Sequence, residues 1–205
     1  MNYLAHIFLS GKDEEMLIGN FIGDYVKGRN YMDFESGIRS GIVLHRRIDA
    51  FTDTHRVVHQ SKQYLLSHYD KYSGIIIDLF YDHFLIKNWH KFSPYTLEEF
   101  KEWVFEVLMK FYPLLPERVQ FFIPSFIKND WIDTYSTKDG IINVIYRLSM
   151  RTTLPNESEF AAEILRKYYT QFDSEFMTFF PEILSYVIEN FEAEIDLVNR
   201  NILKQ

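Results

Sequence analysis

Within the first 83 residues, polar side chains recur four apart inside otherwise apolar segments: Asn2 with His6, Asn20 with Asp24, His45 with Asp49, and Asp78 with Asp82, the last followed by His83. Residues at that spacing share one face of a helix, so each pair aims two heteroatoms at one point. The flanking residues, Ile18-Gly19-Asn20-Phe21-Ile22-Gly23-Asp24 and Ile75-Ile76-Ile77-Asp78-Leu79-Phe80-Tyr81-Asp82-His83-Phe84-Leu85, are those of buried segments. Burying carboxylates there is costly unless opposite charge accompanies them, and a bound cation is the natural compensation. Any one pair, taken alone, reads more simply as a hydrogen-bonded structural residue. Four together point to a site.

The chain has no cysteine, so thiolate metal sites, cysteine nucleophiles and disulfides are excluded. A metal site must use His, Asp, Glu or Asn, which suits Mn²⁺, Mg²⁺ or Fe²⁺ and also admits Zn²⁺. Asp82 and His83 point about 100° apart on a helix, and both can still touch an ion lying in the angle between them. Lys27 lies three residues past Asp24, where it offsets that charge or meets a substrate phosphate. Arg46 and Arg47 follow His45 directly, and a guanidinium fork beside a metal ligand suits a phosphate clamp. His55 and His59 sit among polar neighbours and read as surface residues, as do His68 and His90 as structural or exposed ones. There is no Gly-rich phosphate loop, Gly-x-Ser-x-Gly elbow or His-Glu-x-x-His motif.

The elements that must position these residues read as helices. Asp13 before Glu14-Glu15 is an N-cap with acidic first-turn residues, leading a helix to about Gly28. Apolar recurrence at three and four residues predicts further helices near 35–50, 56–70, 74–91, 96–111, 115–128, 138–150, 157–171 and 174–203. Thr96 with Glu99 is a capping-box candidate. Strand alternation is lacking, and no linker or repeat divides the chain. We therefore expect an all-α, single-domain helical bundle over 1–205. Gly19 and Gly23, costly in a helix interior, suggest close helix packing.

The 205 residues are 47% hydrophobic and 25% charged, ordinary values for a globular chain. Nineteen Phe and fourteen Tyr predict a core built from large rings. No apolar stretch approaches the roughly 20 residues needed to span a bilayer, and the start lacks a basic leader, so no membrane association and a cytoplasmic location are expected. A net charge of −7 argues against nucleic acid. Residues 24–60 are nevertheless locally basic, with Lys27, Arg29, Arg39, Arg46, Arg47 and Arg56 against five acids.

Asn2-Tyr3-Leu4-Ala5-His6, Gly19-Asn20-Phe21-Ile22-Gly23-Asp24 with Gly28, Leu44-His45-Arg46-Arg47-Ile48-Asp49 with Thr52-Asp53, and Tyr81-Asp82-His83-Phe84-Leu85 together resemble the successive motifs of the bacterial acyl carrier protein phosphodiesterases. That family is a divergent branch of the histidine-aspartate phosphohydrolases. The resemblance implies their fold and a metal-dependent removal of 4′-phosphopantetheine from holo-acyl carrier protein, with Mn²⁺ the first choice of ion. It implies metal ligands among His6, Asp24, His45, Asp82 and His83. Asp24, Asp49, Arg46 and Arg47 would then be catalytic, and Asn20, Lys27, Asp53 and Asp78 would orient ligands or bind phosphate. Two other readings stand beside it: a histidine-aspartate phosphohydrolase acting on a nucleotide or other small phosphodiester, and a non-enzymatic helical binding protein with a buried polar network.

Overall fold

Asp13 caps its helix as expected, its carboxylate accepting a hydrogen bond from the Met16 amide at 2.9 Å. Thr96 and Glu99 form the reciprocal capping box, with Thr96 N–H donating to Glu99 Oε2 at 2.8 Å and Glu99 N–H donating to Thr96 Oγ1 at 3.2 Å. The computed structural model describes residues 2–204, and no strand occurs among them. The helices are α1 (Tyr3–Leu9), α2 (Glu14–Phe21), α3 (Ser36–Thr54), α4 (Arg56–Gln63), α5 (Leu66–Tyr69), α6 (Ser73–Lys87), α7 (Trp89–Phe92), α8 (Leu97–Lys110), α9 (Glu117–Lys128), α10 (Lys138–Ser149), α11 (Ser158–Lys167) and α12 (Tyr169–Phe191). The fold is all-α. Among the described residues no helix is long and apolar enough to cross a membrane.

α6 is the central element. Its buried residues include Ile76, Phe80, Asp82 and Phe84 and so encircle it. A helix buried all round needs neighbours on every side, and α1, α4, α10 and α12 supply them. Rings fill the space between: Phe92 meets Phe180 at 4.8 Å, Phe176 meets Phe180 at 5.0 Å, and Phe8 meets Trp89 at 5.2 Å.

Two helix pairs set the positions of the polar residues. α2 crosses α3 at backbone contact, because a Cβ on Gly19 would lie 1.9 Å from the Ile38 carbonyl oxygen and one on Gly41 would lie 2.1 Å from that of Met16. Only glycine permits that approach. α1 in turn rests its first turn on α6, with the amides of Leu4 and Ala5 donating to the Asp82 carboxylate at 3.0 and 3.3 Å. Such a carboxylate satisfies amides that have no partner inside their own helix.

Several boundaries differ from the periodicity. α2 stops at Phe21, and the chain tightens into a 3₁₀ turn over Gly23–Tyr25 rather than running helically to Gly28. Gly28 instead takes a left-handed φ of 55° in the loop beyond. The segment at 74–91 breaks at Asn88, whose side chain donates to the Phe84 carbonyl at 2.9 Å and to Asp173 at 2.8 Å. The Asn88 backbone amide also donates to the Phe84 carbonyl, at 3.0 Å, so backbone and side chain together cap the end of α6. The last helix ends at Phe191, well short of 203, and the tail returns against the start of the chain, with Lys12 N–H donating to the Glu194 carbonyl at 3.1 Å. Hydrophobic spacing persists through such breaks because the buried face continues on the next element.

Candidate functional site

Asn20, fully buried on α2, organises a closed hydrogen-bond network. Ser10 donates its hydroxyl proton to the His6 carbonyl at 2.9 Å, so its oxygen accepts from Asn20 Nδ2 at 2.9 Å. Asn20 Nδ2 also donates to the His6 carbonyl at 2.7 Å. The amide orientation is thereby set, and Asn20 Oδ1, 2.7 Å from His6 Nδ1, accepts from that ring. The Asn20 backbone carbonyl, 2.8 Å from His45 Nδ1, likewise accepts. Both imidazoles therefore carry their proton on Nδ1. The rings lie nearly parallel with centroids 4.2 Å apart.

The two Nε2 atoms converge on Asp49, one turn beyond His45 on α3. Each lies 3.2 Å from a different oxygen of that carboxylate. Both Nε2 atoms are buried, and neither makes a hydrogen bond. Asp24, on the 3₁₀ turn, reaches to 3.5 Å from His45 Nε2 with its side chain 73% exposed. It marks the solvent side. Gly23 makes this possible, since a Cβ there would lie 2.2 Å from the His45 ring.

Electrostatics follow from this packing. Burial pushes the His6 imidazolium down, so that ring is neutral. Burial also disfavours charge on His45, but Asp24 and Asp49 outweigh it and raise its pKa to about 9. Burial opposes ionisation of Asp49, yet the two imidazoles hold it well below the usual carboxylate range. The His45 contact likewise lowers Asp24. Once His45 gives up its proton, as ligation requires, the cluster carries two negative charges, which a divalent cation would balance. His6, His45 and Asp49 each offer a ligand atom within 4.8 Å of the others. Two anchored imidazoles and a carboxylate, each ring held through its far nitrogen, are the donor set and outer support of a metal site. The residues fit such an ion.

The structure thus brings together His6, Asn20, Asp24, His45 and Asp49. Asp49, expected as a catalytic residue, sits at the centre. Ser10, which the sequence reading missed, completes the network; its spacing of four from His6 is the signal that could have found it. Asp82 and His83, expected beside the same ion, are engaged with protein groups instead. Asp82 is fully buried beneath α1, and burial raises its pKa to about 7. His83 donates from Nδ1 to the Tyr135 carbonyl and accepts at Nε2 from the Tyr169 hydroxyl, both at 2.8 Å. The two side chains leave α6 in different directions, so the dyad ties that helix to neighbours on two sides. Asp78, one turn earlier, is half-buried. Asp53 pairs with Lys62 at 2.9 Å. Lys27 and Arg47 are exposed. Arg46 donates to the Val26 carbonyl at 2.9 Å and lies over the Tyr31 ring at 5.0 Å, which places it against the 23–34 loop on the face of α3 next to His45.

Residues 1–183 match the family model described as acyl carrier protein phosphodiesterase. Among curated proteins, the chain is similar to the acyl carrier protein phosphodiesterase of Yersinia pestis, 28% identical over 187 residues that span 90% of this chain and 96% of the relative. Those of Serratia proteamaculans and Escherichia coli O157:H7 are each 29% identical over 186 residues, with the same two shares covered. No solved structure matches the chain.

Proposed function

From the premise that this chain belongs to the acyl carrier protein phosphodiesterase family and is a phosphoric diester hydrolase, we propose that it removes 4′-phosphopantetheine from holo-acyl carrier protein with a divalent metal, Mn²⁺ first, held by His6, His45 and Asp49. The observation that supports the metal is the pair of buried, unbonded Nε2 atoms aimed at one carboxylate. When bound, the ion supplies a Lewis acid for a phosphoryl oxygen and an acidified water as nucleophile.

The protein groups have separable tasks in this reading. Asn20 holds both imidazoles in the Nδ1–H tautomer, which leaves each Nε2 lone pair facing inward. Asp49 is ionised across the working pH range and balances charge at the centre. Asp24, at the solvent edge within reach of His45, accepts the proton of the attacking water. Arg46, fixed against the loop, and Arg47 beside it offer donors to phosphoryl oxygens. Water adds to phosphorus, the bond to the serine oxygen breaks, and that oxygen leaves with a proton. The products are apo-carrier protein with a free serine hydroxyl and 4′-phosphopantetheine.

The test is incubation of the purified chain with holo-acyl carrier protein and Mn²⁺, followed by intact mass of the carrier. Loss of the phosphopantetheine mass, abolished by a chelator and by His6→Ala, is the expected result. An unchanged carrier mass with metal present would overturn the proposal.

A further inference from the structure

A groove of about 640 Å³ opens between the start of α1, the end of α9 and α10. That volume lies within the range of sites that hold a small organic ligand. Its lining includes Tyr3, Trp131, Val144, Asn129, Arg147 and Arg151, and no carboxylate borders it among the described residues. In a chain of net charge −7, two guanidinium groups four residues apart beside one groove, with no acid among its lining, are an uneven distribution.

The groove and the His6–His45–Asp49 cluster both border α1, the groove through Tyr3 and the cluster through His6. Tyr3 and His6 are three apart on α1 and share its face, about one helical turn, roughly 5 Å, apart along the helix axis. Tyr3 Oη is 3.1 Å from Tyr25 Oη, and Tyr25 follows Asp24. A wall of rings runs the same way, with Tyr25 stacked on Phe122 at 5.8 Å and Phe122 stacked on Trp131 at 6.0 Å. A ligand whose reacting group sits by Asp24 can therefore extend across Tyr3 and Tyr25 into the groove.

The lining chemistry describes the ligand. Trp131 and Val144 offer apolar surface, Asn129 offers an amide, and the two arginines offer donors and no acceptor. An extended chain with apolar carbon and several carbonyl oxygens to accept from these donors fits that lining. We propose that this groove receives the pantetheine arm of the substrate while its phosphodiester lies at the cluster. The proposal rests on holo-acyl carrier protein being the substrate.

Pantetheine itself, lacking the phosphate, is titrated into the full metal-free chain and binding is followed by tryptophan fluorescence and by backbone amide shifts. Saturable binding is expected for the parent chain. Binding weakened about tenfold or more is expected in the double variant R147Q/R151Q, the scale of one or two lost hydrogen bonds, and in V144W, which fills the groove by volume. Circular dichroism checks that both variants remain folded. In the metal-loaded enzyme, kcat/KM for holo-carrier relative to that for bis(p-nitrophenyl) phosphate is expected to fall by a similar factor in each. Pantetheine binding that is absent, or equal in parent and variants, overturns the groove whatever the carrier assay gives. Failure of the parent chain to act on holo-carrier overturns the substrate reading, while variant-sensitive pantetheine binding would still uphold the groove.

Discussion

Asn20 carries more of the site than any single ligand, because it fixes both histidines through different atoms. Asn20→Ala is expected to lower metal affinity 10- to 100-fold, the scale of losing an outer partner of a ligating histidine, measured by competition with a metal indicator. His45 makes a sharper claim. Its pKa of about 9 keeps it protonated at pH 7 in the metal-free protein, and a ligand nitrogen must be free. Metal binding at pH 7 should thus release about one proton, with affinity rising as pH approaches 9 and levelling beyond it. Calorimetry in buffers of different ionisation enthalpy measures this, and binding without proton release would count against His45 as a ligand. Asp82 titrates for another reason. Its folded pKa is raised from 3.8 to about 7 by burial, so the native state holds the proton more tightly. Its contribution is complete below about pH 4 and is lost as pH rises through 7, about 4 kcal/mol at about 1.4 kcal/mol per pKa unit. Denaturant melts of the chelated protein should show stability declining from about pH 4 to 7 and levelling above, and Asp82→Asn should flatten that decline.

The element that decides the site is the α2–α3 crossing. Gly19 and Gly41 let the two backbones touch, and from that contact the Asn20 carbonyl reaches the His45 ring. Gly41→Ala forces the helices apart and should cost about 1–3 kcal/mol, as overpacking does. It should also weaken metal binding although it alters no polar atom. A thermal melt paired with a metal titration separates the two effects: lost stability with intact metal affinity would show that the crossing does not set the site geometry. The helical periodicity of α3 was legible, with buried Ile38, Ile42, His45 and Ile48 on one face, although the helix runs on to Thr54 beyond the expected end near 50. The early end of α2 was not, because Asp24 leaves the helix to face His45 across a turn that hydrophobic spacing does not encode.

At the scale of the molecule, the candidate site residues all lie before position 84, yet their support comes from the whole chain. α12 buries Phe172, Phe176, Phe179 and Phe180 against the earlier helices, and Glu175 accepts from Ser61 at 2.5 Å, with Ser61 Oγ 2.7 Å from Tyr81 Oη. A chain ending at residue 130 keeps every candidate ligand and loses that packing. It should show no cooperative unfolding and no stoichiometric metal, as read by circular dichroism and by metal analysis after gel filtration. A truncated chain that melts cooperatively would locate an independent unit in the first half.

Residue types and their spacing of four determined by themselves that Asn2, His6, Asn20, Asp24, His45, Asp49, Asp78, Asp82 and His83 form a set of polar positions in apolar segments, that the fold is all-α, and that its core is aromatic. Those properties are local, since helical period and burial are written in each segment. Which pairs meet was decided by tertiary structure. His45-Asp49 and Asp78-Asp82 have the same spacing and similar surroundings, but α3 approaches α2 through glycine contacts while α6 is enclosed by α1 and α12. The first pair therefore converges with His6 and Asn20 around a shared centre. Asp82 is turned beneath the first amides of α1, and His83 is closed between Tyr135 and Tyr169, because a helix buried on all sides presents its polar atoms to whichever neighbour packs there.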